Sequence, residues 1–316
     1  MTSFIHLLFE PCARHARWVL VLGLLAGLAL QDVAALFKPS IPWFIASLLF
    51  TASLRIGPRS ALGALRDFGR HIEVTLLMQL VFPLCLLGVV IVFGATGVYV
   101  TALLLVAAAA PISGCPNIVI MLGHEPAPAL RQLVIGMALL PLTVVPVFLW
   151  LPELGELKSV LIACARLLLV IGIAASAGFA LRVWWKPELT AQEIQTIDGV
   201  SAILMAVVVI GLMSALGEAM RNQPVALVAM LFFAFALNFG LQWLGRLFWR
   251  WRYGGDYTVP LSVISGNRNV ALYLTALPAA ATDDLLLFVG CYQFPMYLTP
   301  ILLRRYYRQD LPATSP

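Results

Sequence analysis

The sequence predicts an all-α polytopic membrane protein: ten transmembrane helices in two inverted five-helix repeats, with the fourth and ninth helices broken. Three observations predict it. The chain is almost without charge, it contains ten long apolar stretches, and one polar pattern recurs half a chain later. Of 316 residues, 61% are hydrophobic and 11% are charged, against roughly 25% charged in a soluble domain. Too few polar side chains remain to clothe a water-facing surface, and the mean hydropathy of +0.95 agrees. Soluble, disordered, collagen-like and nucleic-acid-binding classes are excluded. The net charge of +5 arises inside a membrane-type composition and points to no nucleic-acid partner.

A spanning helix needs about 20 mostly apolar residues. Such stretches run over 18–36, 39–54, 72–93, 98–122, 127–151, 158–181, 197–217, 224–245, 257–280 and 284–303. The second is short and opens on Pro39 and Pro42, where a helix start tolerates proline. Lys and Arg set the orientation. With the N-terminus inside, fifteen basic residues fall on the cytoplasmic side. Lys38, Lys158 and Arg221 fall on the other. This predicts an integral protein of a bacterial-type inner or plasma membrane, with both termini cytoplasmic. A cleaved signal peptide is not expected, because the first apolar run is long for one and its loss would leave the halves unequal.

Two basic residues remain inside spans, Arg166 and Arg268. An ionisable group there is costly and is a functional candidate by default. Arg166 has no helix break around it and reads as structural.

The recurring pattern is Ser113-Gly114-Cys115-Pro116-Asn117 and Ser265-Gly266-Asn267-Arg268-Asn269. Both spell Ser-Gly-x-x-Asn, 152 residues apart, in the fourth span of each half. This divides the chain into a first repeat over 1–155 and a second over 156–316. An odd number of spans per half forces the second half to insert upside down. Gly and Pro free backbone groups that a bilayer tolerates only where protein or a wet cavity receives them. One Ser-Gly in a membrane helix is ordinarily a packing contact. Two at matched positions point to a binding site.

Arg268 adds a permanent positive charge at the second break. Gln79, Asn238 and Gln242 are amides within apolar spans and need buried partners. Gly23 and Gly27 form a Gly-x-x-x-Gly, read as packing. No Cys-x-x-Cys, His-Glu-x-x-His or Ser/His/Asp arrangement occurs, so no cofactor, metal cluster or enzymatic site is expected. A non-transporting membrane sensor is an alternative, weakened by the shortness of every inter-span segment.

At these residues the chain resembles the bile acid:sodium symporter family and its wider superfamily of bile, arsenite and riboflavin transporters. Phe50 to Leu54 through Arg70 resembles that family's basic connection after the second span, and Gln79 to Pro83 its third-span Gln-x-x-x-Pro. Cys115-Pro116-Asn117 and Gly266-Asn267-Arg268-Asn269 occupy the places of its fourth- and ninth-span motifs. The resemblance implies a panel of spans one, two, six and seven. It also implies a core of spans three to five and eight to ten, in which the broken helices cross. It implies alternating-access transport of a small organic anion, with sodium, if bound, near Gln79 and Asn117. Ile264 and Arg268 stand where the family places sodium ligands, so sodium coupling is expected to be lost or weakened. Related arsenite exporters place a Cys in the fourth span, which makes Cys115 the candidate for oxyanion efflux.

Overall fold

The computed structural model describes residues 9–63, 67–150, 157–277 and 279–310, so the expected repeat boundary at 155 lies outside the described residues. Among these residues there is helix and connecting turn, with no strand beyond one isolated bridge. Among the described residues, seven helices are long and apolar enough to cross a bilayer. The chain is an all-α, multi-pass membrane protein.

The sequence reading counts ten spans, and the differences have local causes. The first expected span stops early. Helix α1 (Ala16–Ala29) has 14 residues, or about 21 Å against a hydrocarbon core of about 30 Å. Leu30 leaves helical geometry at φ −110° and ψ 67°. The Gln31 amide donates to the Gly27 and Leu28 carbonyls at 2.8 and 2.9 Å, satisfying acceptors that the helix end frees. The chain continues as α2 (Gln31–Phe37), a 3-10 turn and α3 (Ile41–Gly63). Inside α3, Gly57 takes φ +72° before Pro58, a left-handed kink that only glycine adopts cheaply.

Helix α4 (Phe68–Leu76) runs through a π-helical turn (Leu77–Val81) into α5 (Phe82–Phe93), making one span of 26 residues. The fourth expected span is broken, as anticipated. Its parts are α6 (Val98–Ala108) and α7 (Cys115–Met121), separated by 109–114. At about 16 Å, α6 reaches only half way across a bilayer. Helices α8 (Ala127–Thr143) and α9 (Val145–Trp150) complete the first half.

The second half begins with α10 (Leu157–Trp185), where Arg166 is exposed. Next is α11 (Ala191–Asn222), opened by a capping box between Thr190 and Glu193 that satisfies two of its free N–H groups. Then come α12 (Pro224–Arg252) and the second broken element, α13 (Thr258–Gly266) followed by a 3-10 turn (Val270–Thr275). Helices α14 (Ala279–Leu302) and α15 (Arg304–Tyr307) close the described chain.

The chain forms two compact units, each assembled from separate stretches. One gathers residues 1–62, 165–227 and 271–290. Within it, α1 and α2 pack along α11. The Gly23 and Gly27 pair is a packing face: a methyl on Gly23 would stand 3.0 Å from Ala206 Cβ, and one on Gly27 would stand 2.7 Å from Met213 Cβ. Arg55 and Asp198 form a half-buried ion pair between α3 and α11, and Ser201 donates to Thr51 at 3.1 Å. The other unit gathers 63–164, 228–270 and 291–316. The broken fourth span, α13 and every candidate site residue belong to it, while the 3-10 turn after α13 passes into the first unit at residue 271.

Gly27→Val should force apart α1 and α11 at a cost of about 1–3 kcal/mol. Thermal unfolding in detergent should show a midpoint lower by several degrees. Gly88→Val is the control, since nothing lies within 4 Å of a Cβ added there.

Candidate functional site: the meeting of the two broken helices

The two Ser-Gly-x-x-Asn breaks meet. Pro111 and Arg268 are antiparallel bridge partners. Beside them, Ile112 N donates to Asn267 O at 3.1 Å and Asn269 N donates to Ala110 O at 2.8 Å. Proline suits position 111 because the bridge asks no N–H of that residue. Below the bridge, α7 packs against α13.

An extended crossing in a membrane interior must satisfy every freed carbonyl. Arg268, only 3% exposed, does much of this. Its Nε donates to Ser265 O at 3.1 Å and its Nη1 to Ala109 O at 2.8 Å. These carbonyls close the C-terminal ends of α13 and α6, where helix dipoles leave partial negative charge. Gly266 O accepts from Asn238 Nδ2 at 2.6 Å and from the Tyr292 hydroxyl at 2.5 Å. Asn267 O receives, besides Ile112 N, the Cys115 thiol at 3.5 Å. Gly266 is required by closeness of approach, because a methyl there would overlap the Asn238 carbonyl and the Gln242 side chain.

The remaining predicted residues take distinct places. Asn267 is buried, with its amide donating to Val263 O at 2.8 Å. Ser265 donates to Leu261 O at 2.8 Å and accepts from Trp249 Nε1 at 3.0 Å. Gly114 and Pro116 begin α7, and Cys115 is fully buried. Ser113, Asn117 and Asn269 are half-buried, so they are polar groups of the breaks that keep access to the outside of the fold. Gln79 is fully buried on the π-helical turn and accepts from Thr143 Oγ1 at 3.1 Å. Its Nε2 has no partner.

Two polar networks support the crossing, and sequence reasoning found only some of their members. From Asn238, the chain of bonds continues to Gln242 Nε2 at 2.7 Å, which also donates to Thr299 Oγ1 at 3.0 Å. Gln242 Oε1 then accepts from the Tyr307 hydroxyl at 3.1 Å. Burial holds that phenol well above its usual pKa, so it stays a neutral donor. Tyr307 O receives His124 Nε2 at 3.1 Å. Three residues on, Asp310 pairs with Arg246 at 2.6 Å, and that guanidinium also covers the Tyr306 ring at 4.3 Å. The second network runs along α4 and α8. His71 Nδ1 meets Gln132 Oε1 at 3.1 Å, Gln132 Nε2 donates to Thr75 Oγ1 at 2.7 Å, and Thr75 donates to His71 O at 2.8 Å. The available signal was spacing: 71, 75 and 79, like 238 and 242, recur every four residues on one helix face.

Among the described residues no cluster of His, Cys, Asp and Glu could hold a metal ion. The fold and this crossing define an integral membrane protein with a buried polar centre built on two interrupted helices. No protein-family model matches the sequence, and no curated protein matches it either.

Gly266→Ala should cost about 1–3 kcal/mol by overpacking the crossing, lowering the unfolding midpoint. Tyr307→Phe should cost about 1–3 kcal/mol, because it strands Gln242 Oε1 without that donor. Both are measurable by thermal denaturation of detergent-solubilised protein.

Proposed function

We propose that this protein is a secondary transporter that carries a small organic anion across the membrane by alternating access, through ten spans in two inverted five-helix repeats. The observation that carries the reading is the antiparallel pairing of the two breaks. A bundle built only to span a bilayer gains nothing from opening two helices at its interior. A carrier gains backbone and side-chain groups at the depth where a substrate must be held. The half-buried Ser113, Asn117 and Asn269 supply hydroxyl and amide groups there, and the Arg268 guanidinium supplies positive charge. Its carbonyl partners make burial of that charge affordable without cancelling it.

The division into two discontinuous units supports a panel-and-core reading. One unit holds the first, second and seventh expected spans and most of the sixth, and the other holds the third to fifth and most of the eighth. Residues 271–290 group with the former, a departure from a core containing all of spans nine and ten.

Arg268 also bears on the coupling ion. A sodium ion about 4 Å from a guanidinium, at an effective dielectric of 20, is repelled by roughly 4 kcal/mol. That is close to a thousandfold in affinity. The carbonyls that would attract a cation at the helix ends already receive Arg268, and Gln79 Oε1 already accepts from Thr143. Arg268 therefore serves as a resident cation, and transport proceeds without sodium. Arsenite efflux finds less support. Cys115 is fully buried and turned onto Asn267 O, whereas a thiol that captures a substrate must be reachable.

Purified protein in liposomes should take up an anion from a panel of carboxylates and sulfonates. The rate should change less than about twofold when potassium replaces sodium. Arg268→Gln should weaken anion-dependent thermal stabilisation by about ten- to a hundredfold in affinity, the worth of one charged hydrogen bond. Strong sodium-driven uptake by the wild type would overturn the resident-cation reading, and absence of uptake would overturn transport.

A further inference from the structure

His71 and Gln79 present an unexplained pair of atoms. Both side chains are fully buried, and His71 Nε2 and Gln79 Nε2 have no hydrogen-bond partner. They mark the two ends of the polar stripe His71, Thr75, Gln79 on the face that α4 and the π-helical turn present to α8. Unmatched buried polar atoms are rare in native proteins and call for a reason.

The imidazole cannot be matched here in either charge state. Gln132 donates its amide to Thr75, so its oxygen faces His71 and Nδ1 carries the proton. A neutral ring then buries a bare Nε2 lone pair, and a charged ring buries an N–H without an acceptor. An arrangement that met Nε2 would suit one charge state better than the other, so gain or loss of a proton would move the balance toward or away from it. The groups around the ring are suited to that competition. Asp67, one turn earlier, accepts from Arg131 Nη1 at 3.2 Å and from the Tyr257 hydroxyl at 3.3 Å. It is also the sole non-glycine residue among those described with positive φ, at 74°, a backbone geometry that the surrounding contacts must hold in place. Tyr257 places its ring centroid 6.0 Å from that of His71 and receives Arg70 over its face at 4.7 Å. Glu73 pairs with Arg252 at 2.6 Å, and Arg252 and Arg70 both cover the Tyr253 ring. A charged His71 would compete with Arg131 and Tyr257 for Asp67.

The far end of the stripe reaches the crossing. A methyl on Gly136 would lie 2.6 Å from Gln79 Nε2 and 3.0 Å from Pro111 Cδ, so Gly136 leaves the room in which that amide sits beside the bridge partner of Arg268. We propose that His71 is a proton-binding site whose occupancy governs anion binding at the crossing, so that the ion this carrier couples to is the proton. The coupling half of this inference rests on the transporter reading; the protonation half does not. Protonation adds positive charge to the unit that holds the anion, so anion affinity rises as pH falls. One linked proton changes it by at most about tenfold per pH unit.

The chain has four histidines. A variant carrying His6→Gln, His15→Gln and His124→Gln leaves one imidazole, and its ring nitrogens can be followed by NMR on ¹⁵N-histidine-labelled protein in detergent from pH 5 to pH 8. A titration in this range, the window natural to histidine, supports the proposal, and a ring that holds one charge state throughout overturns it. In proteoliposomes loaded with a pH-sensitive dye, an acidic exterior should accelerate uptake of the anion found in the panel above, and addition of the anion should acidify the interior that the dye reports. His71→Gln should leave a folded protein whose anion affinity no longer varies with pH. Uptake indifferent to the pH gradient, or an unchanged pH profile in His71→Gln, overturns the coupling. Failure of every anion to enter, while the imidazole still titrates, overturns the transporter reading alone and leaves the proton site standing.

Discussion

The rest of the site depends on one constraint: backbone carbonyls released inside a bilayer must be met by donors from the protein. The crossing frees the carbonyls of Ala109, Ala110, Ser265, Gly266 and Asn267, and each finds a donor. Arg268 meets two of them from two different helices. Its planar fork of donors suits that geometry, which a lysine's single nitrogen would not reproduce. The dipoles at both helix ends favour its charge, and the charge in turn stabilises two helix ends that would otherwise face one another with like polarity. Arg268 thus holds the crossing together, and in the proposed transporter the same guanidinium is the one that meets the anion.

The supporting networks differ in completeness. Around Gly266 they are closed: Asn238, Gln242, Thr299, Tyr292 and Tyr307 satisfy one another through short bonds. Around His71 and Gln79 they are open, with an unmatched nitrogen at each end. A closed network rigidifies the groups it joins, while an open one leaves alternatives of similar energy. The network around Gly266 is accordingly the more rigid of the two. The face between α4 and α8 is the place where a small change of charge has the most to reorganise.

Most of the frame was legible in the sequence because bilayer thickness imposes a length on apolar runs, and a shortage of charge cannot be disguised. The two breaks were legible for a related reason: Ser-Gly-x-x-Asn twice, with Arg268 in the second copy, violates the apolar rule at matched places. What the sequence hid was set by three-dimensional partners. Nothing local in Leu30 announces the end of α1, since the amide that stabilises that end belongs to Gln31, an ordinary residue in isolation. Thr143 and Thr299 drew no notice because a threonine hydroxyl in a membrane helix can bond to its own preceding turn, and both do that as well; Tyr307 drew none because its partner Gln242 lies 65 residues away. His71 stands one residue before the expected third span of 72–93, and only packing against Gln132 reveals that it is sealed away from water.

The bond from Arg268 to Ala109 joins residues 159 positions apart. At roughly 5–20 residues per second of synthesis, the carbonyl waits on the order of ten to thirty seconds for its partner to be made. During that interval the carbonyl of Ala109 at the end of the apolar helix α6 lacks the donor it has in the finished protein, so the nascent first half cannot settle in lipid as it will there. Water, the insertion machinery or a shallower position must hold it meanwhile. The last step of biogenesis is then a docking event, in which a newly made arginine enters the bilayer interior because the site awaiting it is more polar than the lipid around it.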